Sequence, residues 1–444
     1  MASAAEQLAA NISWSSFSKA SELKKRIWFV LGALVVYRLC TYVPLPGIDG
    51  AALETMFSNM RGGFLDVVNT FSGGALQRMS IIALNIMPYI SASIIMQLLT
   101  SMSDRLGQLK KEGEQGRKKI NQYTRYGTVL LTLVQGYGLA AGLEGQQGVV
   151  VDPGWFFRFT TVVTLIGGTM FLVWLGEQIT QRGIGNGISL IIFAGIVAEL
   201  PGTLAQAFEL NRAGSMSLAV LLAMLIGAVA LIWFIVFNER AQRRVVVQYP
   251  KRQQGNKMFQ GDRSHLPLKL NMAGVIPPIF ASSLLLMPLT VAGFDQGGAT
   301  GGVLSAITAY LAPGKPLYIA LYVVLIVFFC FFYTAIQFNP DDTADNLKKH
   351  GGYVPGIRPG KRTAQYLDHV LTRLTVIGSA YLSVVCVIPE ILISQSSVPF
   401  YLGGTSLLIV VNVTMDTVSQ IHSHLMAQQY EGLLKKAKLK GGRR

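Results

Sequence analysis

Residues able to do chemistry are few in this sequence, and most stand where chemistry on a small substrate is hard to arrange. All five histidines (His265, His350, His369, His422, His424) fall outside the membrane-length apolar runs. No intramembrane metal site or proton-relay histidine is therefore expected. Cys40, Cys330 and Cys386 lie in or beside apolar runs with no CxxC spacing, which points to buried structural thiols. Ionisable residues in or at the edge of the runs are few and include Arg38, Glu177, Glu390 and Asp416, most near an end. A coupled transporter usually buries several, because charge in hydrocarbon is costly and kept for function. The sequence has no GxSxG, Walker or HExxH pattern. GIGNG at 183–187 lacks the preceding strand and the following Lys-Ser/Thr of a phosphate loop, and reads as a tight turn. Catalysis is not expected.

What remains is the chemistry of exclusion, carried by apolar side chains at repeating positions. The stretch 79–102 is long enough to cross a bilayer as one helix, which takes roughly 20 residues. Pro88 falls mid-run, where it would weaken the helix. Ile86 and Ile90, four apart, share a face, and Ser91 and Ser93 allow close approach of another helix. The pattern MPYISASIIM at 87–96 returns as IPPIFASSLL at 276–285, a constant shift of 189 that places Pro88 on Pro277, Ile90 on Ile279, Ala92 on Ala281 and Ser93 on Ser282. A second pair, GISLIIF at 187–193 and GTSLLIV at 404–410, places Ile192 on Ile409. Two motifs repeating in the same order point to two related halves, an arrangement typical of transport folds.

The elements that must hold these residues follow from composition. Of 444 residues 51% are hydrophobic and 14% charged, with a mean hydropathy of +0.43. Soluble chains carry roughly 25% charged residues, so a polytopic membrane protein is expected. Residues 1–26 are polar and partly basic, and the first apolar run is too long for a leader's core and lacks a small-residue cleavage site. Ten spans are expected, at 27–43, 79–102, 124–143, 155–175, 188–210, 217–237, 272–294, 317–338, 374–393 and 401–421. An even count puts both ends on one side. With that side cytoplasmic, 32 of the 38 Lys and Arg lie there, leaving Arg38, Arg61, Arg78, Arg158, Arg212 and Lys315. This bias sets orientation by the positive-inside rule and accounts for the net charge of +15 without a nucleic acid.

Between the spans, 16–26 reads as a basic amphipathic helix at the membrane surface. The stretch 61–80 is too short to span and too apolar to float free. It is either a compact element tucked into the protein and hinged by Gly62-Gly63 and Gly73-Gly74, or an ordinary packed loop. Glu177 marks a membrane edge. Of the two long basic loops, 240–269 alternates apolar and polar through 244–249, as a β-hairpin arm would. The other, 339–373, carries GYVPGIRPGKRT, whose prolines stiffen the turn bearing Arg358. Such loops serve either as orientation signals alone or as a docking surface for a large partner. Asn11 and Asn412, in sequon-like triplets, are expected in cytoplasmic and intramembrane positions and so are not glycan sites.

At this point a family is legible. FSGGAL (71–76), MPYISASI (87–94), KKEGE (110–114), QYTRYGT (122–128), WLGEQIT and RGIGNGIS (174–189), HLPLK and NMAGVIP (265–277), FNP and TADNLKK (338–349), PGIRPG (355–360) and PFYLGGTSLLIVV (399–411) resemble the SecY family of bacterial protein-translocation channels. The resemblance covers nearly the whole chain, except the N-terminal 20 residues and the loop around 293–316. It implies an all-α polytopic membrane protein, with ten transmembrane helices in two inverted pseudo-symmetric halves around an hourglass pore. The halves would be 27–210 and 211–421, flanked by a cytoplasmic N-terminus (1–26) and a basic tail (422–444), with cytoplasmic loops at about 239–271 and 339–373.

The resemblance also implies roles. Ile86, Ile90, Ile188, Ile192, Ile279 and Ile409 match a pore ring. The segment 64–78, including Phe64, Leu65, Val67, Val68, Phe71, Gly73 and Gly74, matches a plug. Ser91, Gln97, Asn271 and Met287 match a lateral gate between the second, third, seventh and eighth helices. Arg358, Lys251, Arg252 and Tyr430 match a surface on which the SecA ATPase or the ribosome docks. SecE, SecG, SecDF, YidC, signal sequences, unfolded preproteins and membrane lipids are the further partners implied, and no cofactor is. Asn85 stands where Gly is expected, Met287 where an aromatic is common, and Asn256-Lys257 where paired Arg is usual. A secondary transporter with a five-plus-five inverted repeat is the other reading. It would need unwound spans lined by ligand-facing polar groups. A receptor or scaffold is a third.

Overall fold

The computed structural model describes residues 21–50, 52–53, 69, 72–145, 148–214, 217–250, 252–254, 257–259, 263–293, 315–395 and 403–441. Helices run over Ser21–Cys40 (α1), Met87–Met102 (α2), Asp104–Lys111 (α3), Glu114–Glu144 (α4), Trp155–Arg182 (α5), Gly187–Arg212 (α6), Leu218–Arg240 (α7), Ile276–Gly293 (α8), Pro316–Gln337 (α9), Pro340–Lys349 (α10), Lys361–Gln395 (α11) and Gly404–Gly441 (α12). Each of the ten apolar runs therefore carries a helix. Among the described residues, six helices (α4 to α7, α9 and α11) are long and apolar enough to cross a membrane.

The chain forms two compact units, one of Met1–Ala92, Asn121–Gly202 and Ile409–Arg444, the other of Ser93–Ile120 and Thr203–Leu408.

The second span is not one helix. Residues 79–86 form successive turns, and α2 starts only at Met87. Met79 and Asn85 have φ of 41° and 49°, a left-handed conformation that interrupts a helix. Pro88 is thus the second residue of α2, where its missing N–H would have no helical partner anyway. It opens the helix instead of weakening it. Pro277 holds the same place in α8, which starts at Ile276.

The repeat is visible in these local details. The starts of α2 and α8 differ by the shift of 189 read from the sequence. Two residues before each start stands a left-handed residue, Asn85 in one and Gly274 (φ 65°) in the other. Asn is the side chain that tolerates this region best after Gly, so Asn85 is a substitution the backbone accepts. The second motif pair behaves alike, because α6 and α12 start at Gly187 and Gly404. A methyl group on Gly187 would run into the Gly176 carbonyl of α5, and one on Gly404 into the Val385 carbonyl of α11. Close backbone approach of this kind is how membrane helices pack without a hydrophobic drive between them. Gly404→Ala is expected to destabilise the fold by about 1–3 kcal/mol, the usual cost of overpacking. The thermal midpoint in detergent measures it.

Two further expectations are revised. The basic segment near the N-terminus does not end before the first span: α1 is continuous from Ser21. Leu23, 2% exposed, packs with Ile184 and Leu425, with Ile27 and Ile421 around them. An apolar residue with a protein partner does not need the membrane surface. Residues 16–20 lie outside the described residues. The last span, in turn, runs on as α12 into the basic tail, to Gly441.

The hairpin arm is present as expected. Strand β1 (Gln242–Gln248) pairs antiparallel with β4 (Arg263–Lys269), Val245 opposite Leu266, and between them β2 (Arg252–Gln254) pairs with β3 (Lys257–Phe259). The alternation that signalled it buries Val245 and Val247 and leaves Val246 exposed.

Candidate functional site

The six ring candidates sit at the beginnings of helices. Ile90 is the fourth residue of α2 and Ile279 the fourth of α8, while Ile192 and Ile409 are each the sixth of α6 and α12. Ile188 is the second residue of α6. Ile86 immediately precedes α2, and its carbonyl accepts from the Ile90 N–H at 3.0 Å, so the two stay one helical turn apart. Ile86, Ile192 and Ile409 are 1%, 6% and 1% exposed; Ile90, Ile188 and Ile279 are half-buried. All but Ile279 belong to the first compact unit.

What sets the position of α6 is the turn before it. The Gly185 N–H donates to Gln420 Oε1 of α12 and the Gly187 N–H to Thr180 Oγ1 of α5, each at 2.8 Å. The GIGNG stretch is thus a tight turn, as read, and it is bonded on both sides. Nearby, Arg125 of α4 grips Glu177 of α5 with two bonds, Nε to Oε1 at 3.2 Å and Nη2 to Oε2. A bidentate ion pair of this kind is the strong form of a salt bridge. The sequence marked Glu177 but offered no signal for its partner, 52 residues away.

Of the plug candidates, Phe64, Leu65, Val67, Val68 and Phe71 lie outside the described residues; Gly73 and Gly74 are buried. Both are left-handed, with φ of 65° and 79°. This end of the segment is tightly bonded. Asn69 accepts from Gln77 N at 2.9 Å through Oδ1, and its carbonyl accepts from Gly74 N at 3.1 Å. The stretch that follows crosses residues 43–45, with Leu45 N donating to Met79 O and Ile81 N to Val43 O.

Among the gate candidates, Ser91 and Gln97 are half-buried on α2, and Gln97 Nε2 reaches Ser93 Oγ at 3.4 Å. Asn271, 5% exposed, is the most fully engaged. Its Nδ2 donates to Glu239 Oε1 at 2.7 Å and to Gly274 O at 3.0 Å, and its Oδ1 accepts from Gly274 N at 3.1 Å. Asn271 therefore ties the end of α7 to the left-handed turn that starts α8. Glu239 is a residue that sequence reading missed, since it looks like an ordinary charge at a helix end. Met287 lies in α8, and its side chain is outside what is described.

Arg358 is exposed on a turn flanked by Gly356 and Gly360, both left-handed. Its carbonyl accepts from Thr363 Oγ1 at 2.9 Å. Beneath the turn, Val354 and Leu367 share a core with Val245 and Leu268 of the hairpin. Tyr353 and Gln248 exchange backbone hydrogen bonds at 2.8 and 2.9 Å. The two long basic loops thus build one platform. Lys251 lies outside the described residues, Arg252 falls in β2 and Tyr430 in α12, and nothing is described of the last two side chains.

Comparison with known proteins shows the family. The SecY family model matches residues 80–418. The chain is 56% identical to the protein translocase subunit SecY of Escherichia coli K12 over 423 residues, covering 95% of this chain and 96% of the relative. The translocase subunit of Vibrio cholerae is also 56% identical, over 96% and 97% of the two chains. Among solved structures, a protein-conducting channel superposes with a TM-score of 0.61 at 19% identity, covering 90% of this chain and 92% of that one. The channel of the canine ribosome-channel complex from the endoplasmic reticulum gives 0.58 at 19% identity over the same shares.

Proposed function

The chain belongs to the SecY family, and from that premise we propose how it works as the protein-conducting channel subunit of a translocase. It is a multi-pass membrane protein that passes unfolded polypeptides across the membrane and releases transmembrane segments sideways into lipid. The observation that carries the mechanism is the pairing of isoleucines. Ile90 with Ile279, and Ile192 with Ile409, occupy equal positions in repeat-related helices.

Charged stretches of a secreted chain cannot cross hydrocarbon unaided, at about 2.5–3.5 kcal/mol per charge even on the lenient insertion scale. A pore answers this only if it does not leak ions at rest. Ile86, Ile90, Ile188, Ile192, Ile279 and Ile409 form a ring that offers no hydrogen bonds, so when narrow it excludes water and ions by dewetting. The same side chains make no sequence-specific bonds, which suits a passage used by many different chains. The segment 64–78 is the plug that closes the funnel beyond the ring. Ser91, Gln97, Asn271 and Met287 line the gate through which an apolar segment leaves for lipid, where it is favoured.

The channel drives nothing by itself and carries out no catalysis. Its motor is SecA or the translating ribosome, docking on the platform that bears Arg358, Lys251, Arg252 and Tyr430. SecE and SecG complete the channel, and SecDF and YidC assist it. The halves 27–210 and 211–421, both termini on the cytoplasmic side and a place in the bacterial inner membrane fit the distribution of Lys and Arg.

The test is reconstitution. The complex purified through this chain, with whatever small membrane subunits accompany it, is placed in vesicles with SecA, ATP and a precursor bearing a signal sequence. Protease-protected precursor is expected inside. Failure to protect precursor, together with accumulation of a small solute, would move the chain to the secondary-transporter class.

A further inference from the structure

Arg38 stands in an apolar run, and a charge there is kept by a function or a partner. Its partners are at the end of the plug. Arg38 Nη1 donates to the Gly73 carbonyl at 2.6 Å, and Nη2 lies 3.4 Å from the Tyr42 hydroxyl. The guanidinium carbon is 5.2 Å from the centre of the Tyr42 ring, and Arg78 packs on the same ring at 4.4 Å. One residue back, the Tyr37 hydroxyl donates to Ser72 O at 3.3 Å.

The peptide so gripped rests on α6, backbone against backbone. A methyl group on Gly73 would come within 2.8 Å of Gly195 Cα, and one on Gly74 within 2.5 Å of Glu199 Oε1 and 3.2 Å of Arg78 Nη1. Ser72, Gly73, Gly74, Ala75 and Leu76 are all buried. A charge-assisted bond to a buried carbonyl is roughly twice as strong as a neutral one, and at Gly73 the plug backbone meets the backbone of Gly195 directly.

We propose that Arg38 is a positioning residue for channel gating: its guanidinium, held by Tyr42, clamps the Gly73 carbonyl into the seat offered by Gly195, and so keeps the C-terminal end of the plug shut. The inference rests on the plug assignment made above. Arg38 acts through Gly73 and needs no contact with a passing chain. Arginine suits the task because its flat fork reaches a carbonyl while its plane lies against an aromatic ring. Lysine offers a point charge in its place.

The clamp is tested by the exposure of Ser72, buried at 1%. In the full complex, with Cys40, Cys330 and Cys386 replaced by serine, Ser72→Cys is labelled by a membrane-impermeant maleimide. Adding Arg38→Gln is expected to speed labelling roughly tenfold, equivalent to about 1.4 kcal/mol, and to raise resting ion conductance alongside it. Arg38→Lys should recover part of the protection. If Arg38→Gln does not assemble, Gly73→Ala takes its place, since it leaves Arg38 intact but lifts the peptide from Gly195. Wild-type labelling in whichever variant assembles would overturn the clamp. Deletion of 64–71 separates the clamp from the plug. Should deletion raise conductance while neither substitution changes labelling or conductance, the clamp is wrong and the plug stands. Should deletion leave conductance unchanged, the plug assignment falls and the clamp falls with it.

Discussion

Ile409→Asp is expected to make the resting channel leak ions, with conductance in planar bilayers rising roughly 100-fold. Ile409 is 1% exposed, so its side chain meets protein and not water in the state described. If Ile409 belongs to the proposed ring, a carboxylate there draws water into the constriction. Placing a charge in hydrocarbon costs about 2.5–3.5 kcal/mol, and a site that hydrates to avoid that cost weakens its own seal by a similar amount. At 1.4 kcal/mol per decade, this is about two decades in the ratio of sealed to leaking channels. Ile409→Leu keeps the volume and the lack of hydrogen bonds, and should stay sealed. Ile90→Asp, on the repeat-related motif, should leak as well. Wild-type conductance in both aspartates would remove the ring from the mechanism.

A second large effect is expected on the opposite kind of surface. Arg358→Glu should abolish SecA-driven translocation into vesicles while the protein folds and assembles as before. Folding is spared because the turn is held by other groups: the glycines on either side, the bond from Thr363 Oγ1 to the Arg358 carbonyl, and the core beneath it. On the proposed docking, an Arg at the centre of an interface contributes about 2 kcal/mol or more, roughly thirtyfold in affinity, and reversal adds repulsion to that loss. Motor-driven transport at the wild-type rate would place the docking surface elsewhere.

Much of the architecture was legible in short stretches of consecutive residues. Apolar run length located ten of the twelve described helices, since crossing hydrocarbon demands a minimum span and internal backbone bonding. Alternation over 244–249 located the hairpin. The shift of 189 paired the two related segments, because a Pro followed by a small-residue face leaves a recognisable string. Motif resemblance supplied the family. These are local signals, written within a few consecutive residues.

Contacts between residues far apart in the chain account for the remainder. Nothing local tells a reader that α2 starts at Met87, for an apolar run reads as one span until the left-handed angles at Met79 and Asn85 break it. No periodicity joins Arg125 to Glu177, Asn271 to Glu239, or Arg38 to a carbonyl 35 residues away. A charge in a span announces that it needs a partner. Which partner it finds depends on where the backbone brings a carbonyl within reach. For Arg38 that depended on two glycines, Gly73 and Gly195, being small enough to touch.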